Sequence, residues 1–295
     1  MLTENHHYRL IHKTADESFN PKKLPTYALY LNFGKQQVRL AVLDLPRNKF
    51  IYLEDYEVNH IFTPQQGAQV FREFFIGHSF LFNPNWKQIK VAIINHNFTL
   101  IPATLFSPDA AGDYLRLNCD IDLEQEKVFS YYHQNLEAVN IFATAKYLLQ
   151  VWEDLVPQKP ITFLHQTSSL IAGLAYYGER SDQPKFYAYI EQKNLYLLLF
   201  KQNRLEFCNL FQCQTPEDFL YYLIFIMQEH KLNPETDRVT VWGDITHDSS
   251  LFTLMRKYIR HVQFGSRPVG PAYSYKLEDI FEHHYLGLYT LYFCD

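Results

Sequence analysis

Glycine is scarce: the chain has 10 among 295 residues, where an average composition of about 7% would give roughly 20. A chain so built is poor in tight loops. Cysteine is equally sparse, with Cys119, Cys208, Cys213 and Cys294 scattered and no CxxC pair. That excludes a disulfide framework or a cysteine zinc ribbon, and fits a reducing compartment in which thiols act as small hydrophobes. Long apolar runs are missing too. The strongest, Leu195 to Phe200, is far short of the ~18 residues a membrane span needs, so membrane insertion is not expected. Basic residues show no excess, 27 against 32 acidic ones for a net charge of −5, which removes the electrostatic footprint of nucleic-acid or anionic-membrane binding. The first 25 residues are polar and mixed in charge and lack the apolar stretch of a secretory signal, so they read as a polar tail on a cytoplasmic protein.

What the chain does have is aromatic bulk: 24 Phe and 22 Tyr within a composition that is 47% hydrophobic. Its length allows two ordinary domains. Alternation from Tyr27 to Phe33, Val38 to Leu43 and Phe50 to Tyr56, joined by short connectors, predicts a three-strand antiparallel meander. Thr63-Pro64 with Gln66 then reads as an N-cap, an N1 proline and a capping-box partner for a helix bearing Val70, Phe71, Phe74 and Phe75. Asn83-Pro84 breaks the chain before a buried-type strand at Ile89 to Ile94.

The second half repeats this order. Strands are expected at Phe186–Ile190, Leu195–Phe200 and Leu205–Phe211, a helix after Thr215-Pro216, a breaker at Asn233-Pro234 and a strand at Val239–Trp242. The Thr-Pro pairs lie 152 positions apart and the Asn-Pro pairs 150. Matched punctuation at one offset, each piece with its own physical job, points to a duplicated lobe. Between the copies come a helix around Pro108 to Leu117, a hairpin of Lys127–His133 and Leu136–Phe142, a helix capped by Thr144, a strand at Ile161–Leu164 and a small-residue helix from Thr167 to Tyr177. The expected organisation is a tail over 1–25, a first lobe over 26–180 with an inserted hairpin subdomain around 103–143, and a second lobe over 185–295, with the linker at Glu179–Lys185.

Two meanders, each followed by helix and strand, resemble the duplicated lobes of the actin, Hsp70 and sugar-kinase superfamily, and His165 to Gly178 is similar to its small-residue interlobe helix. More closely, the chain resembles a bacterial family, domain of unknown function 3822. The passages that carry this are the opening meander through Glu54-Asp55-Tyr56, Leu100-Ile101-Pro102 to Leu117-Asn118, and Tyr273-Ser274-Tyr275 to Cys294. The resemblance implies a two-lobed α/β, actin-like ATPase (ribonuclease H-like) fold, each lobe a mixed sheet opened by the meander.

That superfamily holds Mg-ATP between its lobes, so each loop can be compared. The first phosphate loop, Asn32-Phe33-Gly34-Lys35, keeps a glycine but offers an amide where a carboxylate would suit hydrated magnesium better. The second-lobe turn, Glu191-Gln192-Lys193-Asn194, has an acid but no glycine for a phosphate nest. Trp242-Gly243-Asp244 has one glycine of the expected pair, and Gln166 follows His165 without an acid nearby. Asn32, Gly34, Lys35, Gln166, Glu191, Gln192, Gly243 and Asp244 are therefore candidate residues of a vestigial cleft, with no catalytic residue, metal or cofactor assigned. The function expected is a non-catalytic scaffold or regulatory binding protein. Its rival is an ATPase or small-molecule kinase in which Glu191 or Asp244 takes the metal.

Other constellations are read as structural. His6, His7 and His12 belong to a solvated tail, and His283-His284 to a polar helix face. Glu54, Asp55 and Glu57 are assigned to a solvated strand edge, and Ser168-Ser169 beside His165 lack a nucleophile elbow. The hairpin carries bulk on both faces, Val128 and Tyr132 on one, Phe129 and Tyr131 on the other. Tyr131 and Tyr132 are candidate interface residues for a protein partner or a second copy, unless the helix after Thr144 covers them.

Overall fold

The computed structural model describes residues 7–59, 63–156, 160–178 and 183–295. In chain order it opens with β1 (Tyr8–Ala15), β2 (Tyr27–Gly34), β3 (Gln37–Asp44), β4 (Lys49–Val58), α1 (Pro64–Gly77) and β5 (Gln88–Ile94). The insert follows as β6 (Phe98–Pro102), α2 (Ala111–Arg116), β7 (Glu126–His133) and β8 (Ala138–Ala145), then α3 (Lys146–Leu155), β9 (Ile161–His165) and α4 (Gln166–Ala175). Next come β10 (Lys185–Glu191), β11 (Asn194–Lys201), β12 (Arg204–Gln212), α5 (Pro216–Glu229), β13 (Arg238–Gly243), α6 (Ser250–Tyr258) and β14 (His261–Phe264), and last β15 (Ala272–Tyr273) and α7 (Leu286–Tyr289).

Two compact units result. Unit 1 takes residues 1–169, 270–279 and 294–295, and unit 2 takes 170–269 and 280–293. The division falls within α4; of the expected linker, residues 179–182 lie outside the described set.

The sheet of unit 1 runs β1-β4-β3-β2-β5-β9, with β15 added to the start of β4. The sheet of unit 2 runs β12-β11-β10-β13-β14. From β4 onward the first order matches the second strand for strand, and so does the direction: the meander is antiparallel, and the two strands that follow the helices join in parallel. The duplicated meander-helix-strand order is therefore present. Thr63 and Thr215 cap α1 and α5 as expected, accepting from the N–H groups of Gln66 and Asp218. In unit 1, α1 and α3 lay Phe71, Phe75 and Trp152 on Phe33, with ring centroids 4.3 Å apart for Phe33–Phe71 and 4.4 Å for Phe75–Trp152. In unit 2, α5 and α6 press Leu223, Met227 and Met255 on the alternate strand residues Ala188, Leu197 and Val241.

Three local expectations are corrected. Tyr8–Ala15 is not tail but a strand paired antiparallel with β4 through Tyr8↔Val58 and Ala15↔Tyr52. Thr144 does not cap α3; it lies buried near the end of β8, opposite Lys127, and Ala145 occupies the cap position without a side-chain bond. His283 is buried rather than on a polar helix face: its ring lies 4.2 Å from that of Phe264 and its Nε2 meets the Ile245 carbonyl at 2.7 Å. Of the N-terminal histidine group, His6 lies outside the described residues.

Because β1 covers β4, Glu54 and Asp55 are interior, at 0% and 5% exposure, and the solvated-edge reading of them fails. Asp55 accepts from Arg39 Nε at 3.0 Å and Gln37 Nε2 at 3.2 Å. Glu54 accepts from Tyr52 at 2.5 Å, Tyr56 at 3.0 Å, His78 Nε2 at 2.6 Å and Lys13 Nζ at 2.7 Å. Burial alone would raise its pKa, but these donors, His78 first, outweigh it and hold the carboxyl down at about 2. A carboxylate whose pKa is depressed on folding stabilises the protein fully above its unfolded value and loses that contribution as pH falls toward the folded one. From 4.5 to about 2 the stabilisation is of order 3 kcal/mol. Denaturant titrations of the wild type between pH 7 and 2.5 are expected to lose stability below pH ~4.5, whereas Glu54→Gln should start lower at pH 7 and lose less of its stability over that acid window.

Candidate functional site

In unit 1 the register sets Phe33, Ile93 and His165 side by side on the parallel strands β2, β5 and β9. Asn32 precedes this row and Gln166 follows it, so both lie at the carboxyl ends of the parallel strands, where open α/β sheets receive ligands. Both are 0% exposed, and neither amide has a side-chain hydrogen-bond partner among the described residues. Asn32 stands opposite Arg39, which stands opposite Asp55, giving this face of the sheet a buried polar row. Gly34 serves packing: a Cβ there would sit 3.2 Å from that of Ile94, where β2 and β5 run close. Lys35 is exposed in the turn.

Sequence reasoning missed the polar hub around His165. Its Nε2 donates to the Asn95 carbonyl at 3.1 Å, so Nδ1 is the acceptor for Thr167, whose Oγ1 lies 2.6 Å away. Full burial pushes the imidazole down to about 3, which keeps it neutral. Asn140 of β8 reaches the same corner, donating to Thr167 Oγ1 at 2.7 Å and Ser168 Oγ at 2.9 Å. The serines suspected beside the histidine are thus structural. A polar residue at an inward position of the otherwise apolar Val139–Ala143 run was the signal available for Asn140.

In unit 2 the candidates are drawn together but are internally engaged. Glu191 is 1% exposed and accepts from Tyr189 OH at 2.9 Å. Asp244 turns back on the β10–β11 turn, its N–H donating to the Ile190 carbonyl at 2.7 Å and its Oδ2 accepting the Gln192 N–H at 3.0 Å. Gln192 is left-handed at φ 53°, a tight-turn conformation fixed by that carboxylate. Trp242, on β13, is fully buried. Its indole donates to the Ser266 carbonyl at 3.0 Å, packs on Tyr177 and Tyr187 with centroids 4.8 and 5.4 Å away, and lies so close to Gly265 that a Cβ would overlap the ring.

The inserted hairpin is covered on both faces by elements other than α3. Val128 and its strand partners pack under α2 around Leu115 and Ile141. On the other face Phe129 stacks on Phe142 at 5.4 Å and lies 5.7 Å from Phe163 of β9. The helix after Thr144 goes instead to α1, as the Phe75–Trp152 contact shows. Tyr131 is half-buried, its hydroxyl pushed up by burial beside Cys294, while Tyr132 is 48% exposed with its ring edge-on to Phe106.

Mg-nucleotide does not fit these donors. Magnesium wants carboxylate and phosphate oxygens; unit 1 offers the neutral amides Asn32 and Gln166, and the carboxylates of unit 2 are held by Tyr189 and the Gln192 backbone. Gly243 serves the same turn: at φ 102° its Cβ position lies 1.8 Å from the Ile190 carbonyl oxygen, on which the Asp244 N–H closes. Gly243→Ala is therefore expected to cost more than about 3 kcal/mol, visible as a lower thermal midpoint.

No curated protein matches the chain. Among solved structures, a Bacteroides thetaiotaomicron protein with actin-like ATPase fold and unknown function aligns with a TM-score of 0.80 and 19% identity, covering 94% of this chain and 99% of its own. A structure of the PilM-PilN type IV pilus biogenesis complex aligns with a TM-score of 0.56 and 14% identity, covering 91% of this chain and 98% of its own. The fold is thus the actin-like ATPase fold expected from the duplicated meander. The model of one family, described as Protein of unknown function (DUF3822), matches residues 16–262, and the chain belongs to that family.

Proposed function

We propose that this protein is a non-catalytic, bacterial cytoplasmic member of the actin-like fold that works as a scaffold or regulatory binding protein. The observation that carries this reading is the use made of Asp244. Its carboxylate caps the Gln192 N–H of the turn that would have to cradle a phosphate. A carboxylate so bonded is a poor metal ligand, and it holds the turn shut around a non-glycine residue. The Trp242 indole against Gly265 and the neutral pair Asn32 and Gln166 support the same conclusion. A protein-binding role has support from the PilM-PilN type IV pilus biogenesis complex, a neighbour of similar fold solved in a protein assembly. Tyr132, exposed on the insert, is the first residue assigned to a partner surface; Tyr131 is the less accessible of the expected pair.

No helix among the described residues is long and apolar enough to cross a membrane, and the partner is taken to be a protein. Purified protein is expected to release no phosphate from Mg-ATP above a heat-denatured control and to show no saturable heat of binding by calorimetry. Sustained turnover lost in Asp244→Asn would overturn the proposal and establish the ATPase or kinase alternative.

A further inference from the structure

The insert holds a cavity of about 360 Å³ lined by residues around Asp109, Gly112 and Asp113, by Leu123 and by Val128 to Ser130. Consecutive strand residues point to opposite faces of a sheet. A cavity lined by Val128, Phe129 and Ser130 together therefore lies against the backbone edge of β7, not against either face. That edge is open. The three-stranded sheet runs β6-β8-β7, so β7 is terminal, and among the described residues the backbone of 128–132 bonds only across the β8 ladder. Unpaired strand edges are templates for pairing with an extended chain.

The charge around the cavity selects the occupant. From Ser107 to Glu126 the sequence carries six acids, Asp109, Asp113, Asp120, Asp122, Glu124 and Glu126, against Arg116 alone as a base. Asp109 and Asp113 line the cavity itself. Asp113 has only a loose pair with Arg116, at 3.6 Å with both side chains mostly exposed. Lys127, the one cation on β7, lies over the Phe129 ring, 5.4 Å from its centroid. Leu105 at 67% exposure and Tyr132 at 48% add apolar surface within the same insert.

We propose that β7 is a strand-addition site for an extended, basic segment of a partner protein, its backbone pairing with residues 128–132 and its cationic side chains meeting Asp109 and Asp113. This rests on the binding-protein reading above and names the surface and partner chemistry it lacks. Gly112 provides the control. A Cβ there would meet only the methyls of Leu123, at 3.5 and 3.8 Å, an ordinary contact, so a side chain can start from this position, and Gly112→Leu is used to fill the cavity with its fold checked by circular dichroism.

The test uses the full chain and three labelled heptapeptides: alternating Val and Lys, alternating Val and Glu, and the Val–Lys peptide N-methylated at its three central residues. Anisotropy is expected to show the Val–Lys peptide binding at least about tenfold more tightly than the Val–Glu peptide, with N-methylation or Gly112→Leu each weakening it by about tenfold or more. Hydrogen exchange over residues 126–133 should slow only with the binding peptide. The proposal is overturned by equal binding of the two charges, by binding that survives N-methylation or Gly112→Leu with circular dichroism unchanged, or by no binding at millimolar peptide. A concentration-dependent dimer that protects β7 and excludes the peptide also overturns it, since the occupant is then a second copy. Mg-ATP turnover with selective peptide binding intact would overturn only the non-catalytic reading, whereas absent turnover with failed binding would overturn only the β7 site.

Discussion

The carboxylate of Glu54 is the point on which the first sheet is organised. It sits fully buried and accepts from Lys13 of β1, from Tyr52 and Tyr56 of its own strand, and from His78 at the end of α1. A buried charge is tolerable only when donors surround it. Each donor arrives from an element that must be in place first: β1 has to pair with β4, and α1 has to end at His78. One residue thus couples the edge strand, the meander and the first helix, and those fix the strands whose far ends carry Asn32 and Gln166.

Legibility in the sequence followed the strength of the local signal. The meanders alternated cleanly and the Thr-Pro and Asn-Pro pairs marked the helices, so the duplicated strand order could be read from residues alone. Tyr8–Ala15 could not. Its Arg9, His12 and Lys13 make it look solvated, and a strand exposed on one side and along one edge needs no apolar alternation to pair. The misreading of Glu54 and Asp55 followed directly, since without β1 their strand looks terminal. Thr144 failed for a different reason: a hydroxyl before a helix is a cap only if the backbone turns there, and β8 continues one residue further. The candidate loops fall at strand ends because strand ends are legible, but the bonds from Tyr189 to Glu191 and from Gln192 to Asp244 join residues whose relation depends on register.

The two units share an order of strands and differ in what lines them. On the face away from α1 and α3, unit 1 carries the polar row Asn32, Arg39 and Asp55, in which Arg39 and Asp55 are joined by a charge-assisted bond. On the face away from α5 and α6, unit 2 carries Tyr187, Tyr189, Tyr196 and Trp242, held by ring contacts. Backbone pairing and one helix-covered face are enough to preserve a topology, and the remaining face is free to diverge in chemistry.

Unit 1 is also discontinuous in the chain, and this bears on the order of events at the ribosome. Asp16 takes its Ser274 hydroxyl, at 2.6 Å, from residues made 258 positions later, and the start of β4 waits 223 positions for Ala272 and Tyr273. Lys90, buried over the Tyr30 ring, donates to the carbonyl of Cys294. Unit 2 also takes a late segment, residues 280–293, but a contact such as that of the Gly243 N–H with the His283 carbonyl, at 2.8 Å, spans 40 positions. Contacts of long sequence separation form late and leave partly folded intermediates exposed while the chain is incomplete. Most of unit 2 is contiguous and its closing contacts are shorter in sequence, whereas unit 1, synthesised first, keeps Asp16, the start of β4 and Lys90 without these partners until the last residues are made.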